Sequence, residues 1–435
     1  MARFSLANKN IVVVGMGLTG LSCVQFLLAQ GAKVTAMDSR NELSIAVNVP
    51  LYLGAFDATK LCAADLVVLS PGVSAQTPAI LQALAAGVSV IGDIELFARF
   101  NTLPVIAITG SNGKSTVTHL VVEMCQAAGM KVLMGGNIGV PALDLLNKDA
   151  DIVVLELSSF QLETTQSLKP LAATILNFCD DHLDRHGDMQ NYQRIKHLIY
   201  KHAQYVVASR DEKATQPLNR DVDLTFGLSA SNSGFSWDKT TATILFQGQA
   251  FLSSQDCLLV GAHNMLNIQA AAALAMLAGV HVEAIKQGAK LFGGLAHRCQ
   301  TVSMHNNVRW INDSKATNVG ATQAAILGML ESCQGRLVLI AGGEGKGADF
   351  SPLAELLEHS VDLLITLGKD GDKIARLKQG SVKVSSLEQA VKVAADYAQA
   401  KDIVMLSPAC ASLDMFNNYQ HRGECFIKAV QEVSL

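Results

Sequence analysis

The sequence predicts an α/β protein of three domains: a Rossmann-like N-terminal domain, a central P-loop-type ATPase α/β domain, and a C-terminal Rossmann-like α/β domain. Three observations predict it. Short β-branched runs alternate with segments of helical period along most of the chain, the mark of strand–helix–strand units. The 435 residues suit about three domains of ordinary size. Two glycine-rich turns, at 15–20 and 110–113, each follow an apolar run and open a helix-period segment. The boundaries expected are 1–93, 94–296 and 297–435.

Composition narrows the function classes. The net charge is -4 with no Lys/Arg run, so neither nucleic acid nor a membrane surface is the expected partner, and anions must be held by local sites. The nine cysteines include no C-x-x-C pair, which suits a reducing compartment and argues against a zinc or disulfide framework. The N-terminal stretch has no cleavable-signal pattern, and no apolar run approaches about 18 residues. A cytoplasmic monomer is expected.

In the first domain, a strand at 11–14 leads into Gly15-Met16-Gly17-Leu18-Thr19-Gly20, a helix to about residue 30, and a second strand ending at Asp38. This is G-x-G-x-x-G with an acid 18 residues past the last glycine. The glycines let backbone approach a diphosphate, and the acid can accept from a ribose or base. A nicotinamide or flavin site is the plain reading; a ligand-free helix–strand contact is its rival. A third strand at 65–69 ends at Ser70-Pro71-Gly72-Val73, followed by a helix at 79–86 and a strand at 88–91. Loops after strand C-termini bind ligands in such sheets, so 70–73 shares an edge with 15–20.

The central domain opens with a strand at 105–108, the loop Gly110-Ser111-Asn112-Gly113, and a helix started by Lys114, Ser115 and Thr116. Unpaired backbone NH groups and the positive end of the helix dipole attract phosphate there. Lys114 adds a mobile cation, and Ser115 stands where a P-loop places a magnesium ligand. Ile108 occupies the position of the usual first glycine, so the loop is a shortened form. Next come a glycine-rich turn at 135–139 containing Asn137 and a strand at 151–155 that delivers Glu156, a magnesium ligand or a helix-capping acid. A strand at 172–177 runs into Cys179-Asp180-Asp181-His182-Leu183-Asp184-Arg185-His186. His182 and His186 allow a zinc pair, whereas Asp181 and Asp184 suit a harder ion. A helix at 191–203 carries Lys196 and Lys201, which read by themselves as surface lysines. Short strands and polar turns fill 204–260. Asn264 and Asn267 then lie one helical turn apart, facing one partner or capping the helix.

The last domain begins at His297-Arg298. A strand at 308–311 precedes the polar loop Asn312-Asp313-Ser314-Lys315-Ala316-Thr317-Asn318. A strand at 337–341 leads into the loop holding Lys346, and strands at 363–367 and 403–406 follow, the latter ending near Ser412. Two nucleotide-type sites in separate domains mean two nucleotides, or one nucleotide and a nucleotide-linked substrate.

GSNGKST, LELSSFQLE, DDHLDRH, GAHNMLN, His297-Arg298, WINDSKATN and LSPACASLDMF occur here in the order of the Mur ligase family, which the chain resembles over nearly its whole length. WINDSKATNVG with SPACASLD is similar to the branch that adds D-glutamate to UDP-N-acetylmuramoyl-L-alanine. Members adding other amino acids, and folylpolyglutamate synthases, share mainly the phosphate loop and its acids. The resemblance implies an ATP-dependent carboxylate–amine ligase of peptidoglycan precursor synthesis. It works through an acyl phosphate and yields ADP and phosphate. An NAD-dependent oxidoreductase and a non-catalytic UDP-sugar sensor are the rivals from other classes.

The resemblance also distributes roles. Gly110, Ser111, Asn112, Gly113, Lys114, Ser115, Thr116, Asn264, Asn267, Arg298 and Asp313 bind ATP. Ser115, Glu156 and His182 hold Mg2+. Lys196 matches a carbamylated lysine whose carboxylate serves the second ion, with Lys201 as the lesser candidate. Lys114, Glu156, His182 and Lys196 form the catalytic set. Gly15, Gly17, Leu18, Thr19, Gly20, Asp38, Ser39, Arg40, Ser70, Pro71, Gly72 and Val73 hold uridine and its diphosphate, and Asn137 meets that substrate. Lys315 contacts phosphate and substrate. Thr317, Lys346, Ser412 and Leu413 grip the carboxylates of D-glutamate, with Tyr419 nearby. The N-terminal glycine motif is thereby reassigned from NAD to UDP.

Overall fold

The computed structural model describes residues 5–44, 47–330 and 332–433; the first four residues of the stretch read for a leader lie outside them. Among the described residues the first sheet has five parallel strands in the order Leu51–Leu53, Lys33–Asp38, Asn10–Val14, Leu66–Leu69 and Ser89–Gly92. Strand Asn10–Val14 is flanked by strands lying on opposite sides of it in the winding, so a crevice opens at its C-terminal end. The loops at Gly15 and Ser70 rim that crevice, and Ser70 Oγ donates to Gly15 O at 2.6 Å. Strand Leu51–Leu53 was not expected. It is three residues long and half exposed, too short to carry a period-2 signal.

The central sheet runs Leu224–Phe226, Tyr205–Ser209, Ala172–Ile175, Val105–Thr109, Ile152–Glu156 and Val132–Gly136, again parallel. Its buried strands are the continuous apolar runs that two covered faces demand. Gly135 and Gly136, expected in a turn, are the end of its last strand. A Cβ on them would stand 2.3 Å from Val140 O and 2.4 Å from Glu156 O, so glycine is needed for close backbone pairing. Helix Lys114–Ala127 packs on helices Ala262–Leu277 and Val282–Leu291. A small antiparallel sheet, Phe235–Asp238, Thr243–Phe246 and Gln249–Ser253, sits at its far side. The third sheet sets Gln300–His305 antiparallel on Val308–Asn312. Ile403–Leu406, Leu337–Gly342, Leu363–Leu367 and Val382–Lys383 then follow in parallel.

One hydrophobic cluster runs without interruption from Ile11, Val13 and Leu27 through Ile94 and Phe97 to Val105, Val153 and Ile195. Helix Asp93–Phe100 is therefore a shared wall between the first two sheets. Burying a side chain such as Phe97 contributes about 2–3 kcal/mol. Polar contacts reinforce it: the Glu95 carboxylate accepts from the NH groups of Gln166 and Ser167 at 2.7 Å each. The third sheet has its own clusters on its two faces. Its contacts with the rest are polar and concentrated at the site described next. Among the described residues no helix is long and apolar enough to cross a membrane.

Candidate active site

Strand Val105–Thr109 stops at Gly110, whose φ of +150° lies outside the range most side chains adopt, and Gly113, at φ +80°, caps helix Lys114–Ala127. The shortened loop is thus a real phosphate-loop turn. Lys114 Nζ donates to the carbonyls of Gly110 and Ser111 at 2.8 and 2.9 Å. Desolvation lowers its pKa, opposed by the nearby carboxylates of Glu156 and Asp181. Ser111 Oγ meets the Tyr192 hydroxyl at 3.1 Å, and Asn177 braces the loop by accepting from Asn112 NH at 2.8 Å.

Lys196 overturns the surface reading that its helix suggested. Helix Met189–His197 presents it inward, 2 % exposed, where Nζ donates to Thr109 Oγ1 and Gly110 O at 3.0 Å each. Burial, with Lys114 as a second cause, drives its pKa well below the usual lysine value. The α-helix ends at His197 and continues as a 3-10 turn, Leu198–Tyr200, so the expected helix to 203 is shorter.

Glu156 ends strand Ile152–Glu156 and is 1 % exposed. Its Oε1 accepts from Asn137 Nδ2 at 2.7 Å, while Oε2 has no hydrogen-bond partner. It caps nothing. The next helix is capped by Ser158, whose side chain and Gln161 form a capping box. An orphaned buried carboxylate oxygen beside a phosphate loop fits a hard divalent cation. His182, held neutral by burial with a pKa near 4, leaves a ring lone pair free for the same purpose. Ser115 Oγ accepts from Arg298 Nη2 at 2.8 Å. The His182–His186 zinc pair is not built: His186 Nε2 meets Ser159 Oγ at 2.9 Å, and the Phe160 ring lies 4.8 and 5.4 Å from the two imidazoles. No cluster of three or more metal-binding side chains occurs among the described residues.

A cleft of about 590 Å³ opens between the central and third domains. Asn112, Gly113, Thr116, Asn264, Asn267, Arg298, Asp313 and Lys315 line it, whereas Gly110, Ser111, Lys114 and Ser115 of the expected ATP set do not. Asn267 lies over Gly113, where a Cβ would come 2.5 Å from Oδ1, and Asn267 Nδ2 donates to Asn264 Oδ1 at 3.2 Å. Asp313 is turned inward: Ser407 Oγ and Cys299 NH donate to it at 2.7 and 3.1 Å, and burial raises its pKa to about 6. Lys315 lies 3.9 Å over the Tyr419 ring, and burial lowers it to about 8. A second, small recess gathers His182, Thr317 and Lys346 around Asp181. Lys346 Nζ reaches Asp181 Oδ1 at 2.6 Å. Ser412 is buried and does not line this recess, and Leu413 is 68 % exposed.

At the first sheet, Gly20 touches Gly15 so closely that a Cβ would stand 1.9 Å from its carbonyl. Leu18 is 78 % exposed at the crevice mouth. The Asp38 carboxylate accepts from Met16 NH at 2.6 Å, Arg40 NH at 2.9 Å, and Arg40 Nε at 2.8 Å. The Arg40 contact holds it well below the usual carboxylate range. The Asp38 carboxylate thus pins the Gly15–Gly20 turn and Arg40 to the end of strand Lys33–Asp38. Ser39, Arg40 and Gly72 are exposed around it. Arg185 links this crevice to the central domain by donating to Val73 O at 3.1 Å and Glu163 Oε2 at 3.0 Å.

Three family models match in succession: "Mur ligase MurD-like, N-terminal domain" over 9–92, "Mur ligase middle domain" over 108–275, and "Mur ligase, glutamate ligase domain" over 297–410. The chain belongs to the Mur ligase family. UDP-N-acetylmuramoylalanine--D-glutamate ligase of Haemophilus influenzae strain PittEE is 47% identical, covering 98% of both chains. That of Shewanella violacea is 48% identical over 98% of this chain and 97% of its own. The fold matches that of MurF ligase from Thermotoga maritima, solved in complex with ADP, with a TM-score of 0.63, 17% identity, and 98% and 96% coverage.

Several residues of this Mur ligase's site were not singled out in sequence. Thr109 and Tyr192 surround Lys196 and Ser111, and Asn177 braces the loop. Asn318 reaches Asn112, and Arg422, 3 % exposed, ties Ser314 O to Cys410 O at 2.8 and 3.1 Å. Each lies in or within three residues of a recognised motif, except Tyr192, one helical turn from Lys196, and Arg422, three residues past Tyr419. That adjacency was the available signal.

Proposed function

We propose that this Mur ligase joins D-glutamate to UDP-N-acetylmuramoyl-L-alanine in the cytoplasm, converting ATP to ADP and phosphate. The carrying observation is the convergence of three strand-end loop sets. On one side Arg298 of the third domain reaches Ser115 at the phosphate loop and Lys346 reaches Asp181, and on the other the Gly15 crevice is tied by Arg185. The near-half identity to D-glutamate ligases over the full chain supports the choice of substrates.

In this reading the carboxylate of the UDP-linked substrate, held between the first two domains, attacks the γ-phosphorus, and the bond to ADP breaks. Lys114 and the NH groups of 110–116 hold the phosphate oxygens as charge shifts; each such pre-placed group is commonly worth about 10²–10³ in rate. The D-glutamate amine, positioned by Thr317, Lys346, Ser412 and Leu413, attacks the acyl phosphate carbonyl and loses a proton. The tetrahedral intermediate collapses to amide and phosphate. Mg2+, when bound, neutralises phosphate charge. Ser115, Glu156, His182 and a carbamylated Lys196 are the residues that would hold it. Asn264, Asn267 and Asp313 orient the nucleotide.

The test is ADP release by the purified protein with both substrates, ATP and Mg2+. Release that requires D-glutamate and is not given by L-glutamate supports the reading. Release of AMP, or indifference to the amino acid, sinks it.

A further inference from the structure

Asn112, at the tip of the phosphate loop, and Asn318, just before helix Val319–Leu330, face each other across the junction of the central and third domains. Asn318 Nδ2 donates to Asn112 Oδ1 at 3.1 Å, and Asn112 Nδ2 donates back to Asn318 Oδ1 at 3.2 Å. Two reciprocal bonds fix both distance and plane, so the pair tolerates little displacement in any direction. Each partner is also held from behind. Asn177 accepts from Asn112 NH at 2.8 Å and donates to its carbonyl at 3.2 Å; Asn318 Oδ1 accepts from Ala321 NH at 2.9 Å, in the first turn of the helix. Three asparagines thus run in line from the end of strand Ala172–Ile175, through the phosphate loop, to the third domain.

The approach is made possible by Gly320. A Cβ there would stand 3.1 Å from Cys179 Cβ and 3.2 Å from its Sγ, so glycine leaves the room in which the two loops meet. The two amides are uncharged, and Asn318 Nδ2 also reaches Asp181 Oδ2 at 3.4 Å, the carboxylate that Lys346 holds. Lys114 follows Asn112 by two residues, and Thr317 and Lys315 precede Asn318 by one and three. The pair therefore joins the loop that holds the transferring phosphate to the loop that holds the incoming amino acid.

We propose that Asn112 and Asn318 form a positioning pair that ties docking of the third domain to one conformation of the phosphate loop, placing the amine at the acyl phosphate. This rests on the ligase reading given above. Neither residue needs to touch D-glutamate for it, and a misplacement of about 1 Å is enough to lose much of the rate.

Steady-state kinetics of Asn318→Ala and Asn112→Ala test it, with melting temperature recorded for each. The pair predicts that kcat/KM for D-glutamate falls about 10-fold or more in both, while the dissociation constant for the UDP-linked substrate stays within about two-fold. The double variant is no worse than the worse single, because one interaction is lost in all three. Asn318→Gln, which keeps the amide but lengthens its stem by one methylene and so moves it off its partner, gives the same loss, and it decides the matter if an alanine variant fails to fold. Multiplying effects in the double variant, or an unchanged kcat/KM for D-glutamate in a folded Asn318→Ala or Asn318→Gln, overturn the proposal. Wild-type protein inert toward D-glutamate overturns the ligase reading instead.

Discussion

Lys114 and Lys196 donate to one oxygen, the carbonyl of Gly110, at 2.8 and 3.0 Å. Burial presses Lys196 toward its neutral amine, and the second ammonium crowded on the same acceptor adds to that pressure. A neutral amine adds carbon dioxide: an N–C bond forms, a proton leaves, and a cation becomes an anion. The repulsion with Lys114 turns into attraction. The account predicts one bound CO2 on Lys196 by intact mass in bicarbonate, and activity that falls in CO2-depleted buffer and returns with bicarbonate. Lys196→Ala should lose about 100-fold or more. Full activity without CO2 contradicts this.

Arg298 is the third domain's reach into the nucleotide site, through its 2.8 Å bond to Ser115 Oγ. Arg298→Ala removes a charge-assisted bond worth about 1.5–3 kcal/mol, so KM for ATP should rise about 10- to 100-fold. Binding of the UDP-linked substrate, proposed for the first domain's crevice, should be nearly unchanged by calorimetry. Equal losses at both sites would falsify the separation of the two.

Asp93 makes a stability prediction. Its carboxyl is buried at the shared wall of the first two domains, with Oδ2 accepting from Gln161 Nε2 at 3.0 Å and Oδ1 unpartnered. Burial pushes its pKa up to about 6, although Gln161 opposes the shift. The folded chain holds a proton that the unfolded chain has lost, so stability falls as pH rises from about 4 to about 6 and stays lower above. A rise of about two pKa units corresponds to about 3 kcal/mol at most. Relative to wild type, Asp93→Asn should gain up to that amount between pH 4 and pH 7 in denaturant titrations. A difference between the two proteins that does not change with pH rules it out.

The phosphate loop, Glu156 and the Asn264–Asn267 face were legible because each joins a local pattern to a strand end or helix start, and local pattern is what sequence carries. Lys196 was not legible from its own helix. Arg194 and His197 beside it make the segment read as solvent-facing, and only the buried strand end at Thr109 turns it inward. The Gly135–Gly136 strand was hidden because glycine marks a turn and a close backbone approach equally well. Asp38 kept its expected position in the motif, and its bond to Arg40 two residues on was not foreseen. Asn318 and Asp181 depend on contacts between domains more than a hundred residues apart. No local period records those.

The central claim is that this site passes a phosphoryl group to a carboxylate before the amide forms. Oxygen-18 in the carboxylate of UDP-N-acetylmuramoyl-L-alanine follows the step directly. Attack on the γ-phosphorus and later departure of phosphate carry one labelled oxygen into inorganic phosphate, visible by phosphorus NMR. The account predicts one labelled oxygen in the phosphate for each amide made in the presence of D-glutamate. Unlabelled phosphate, with all the label left in nucleotide or unreacted substrate, would contradict it.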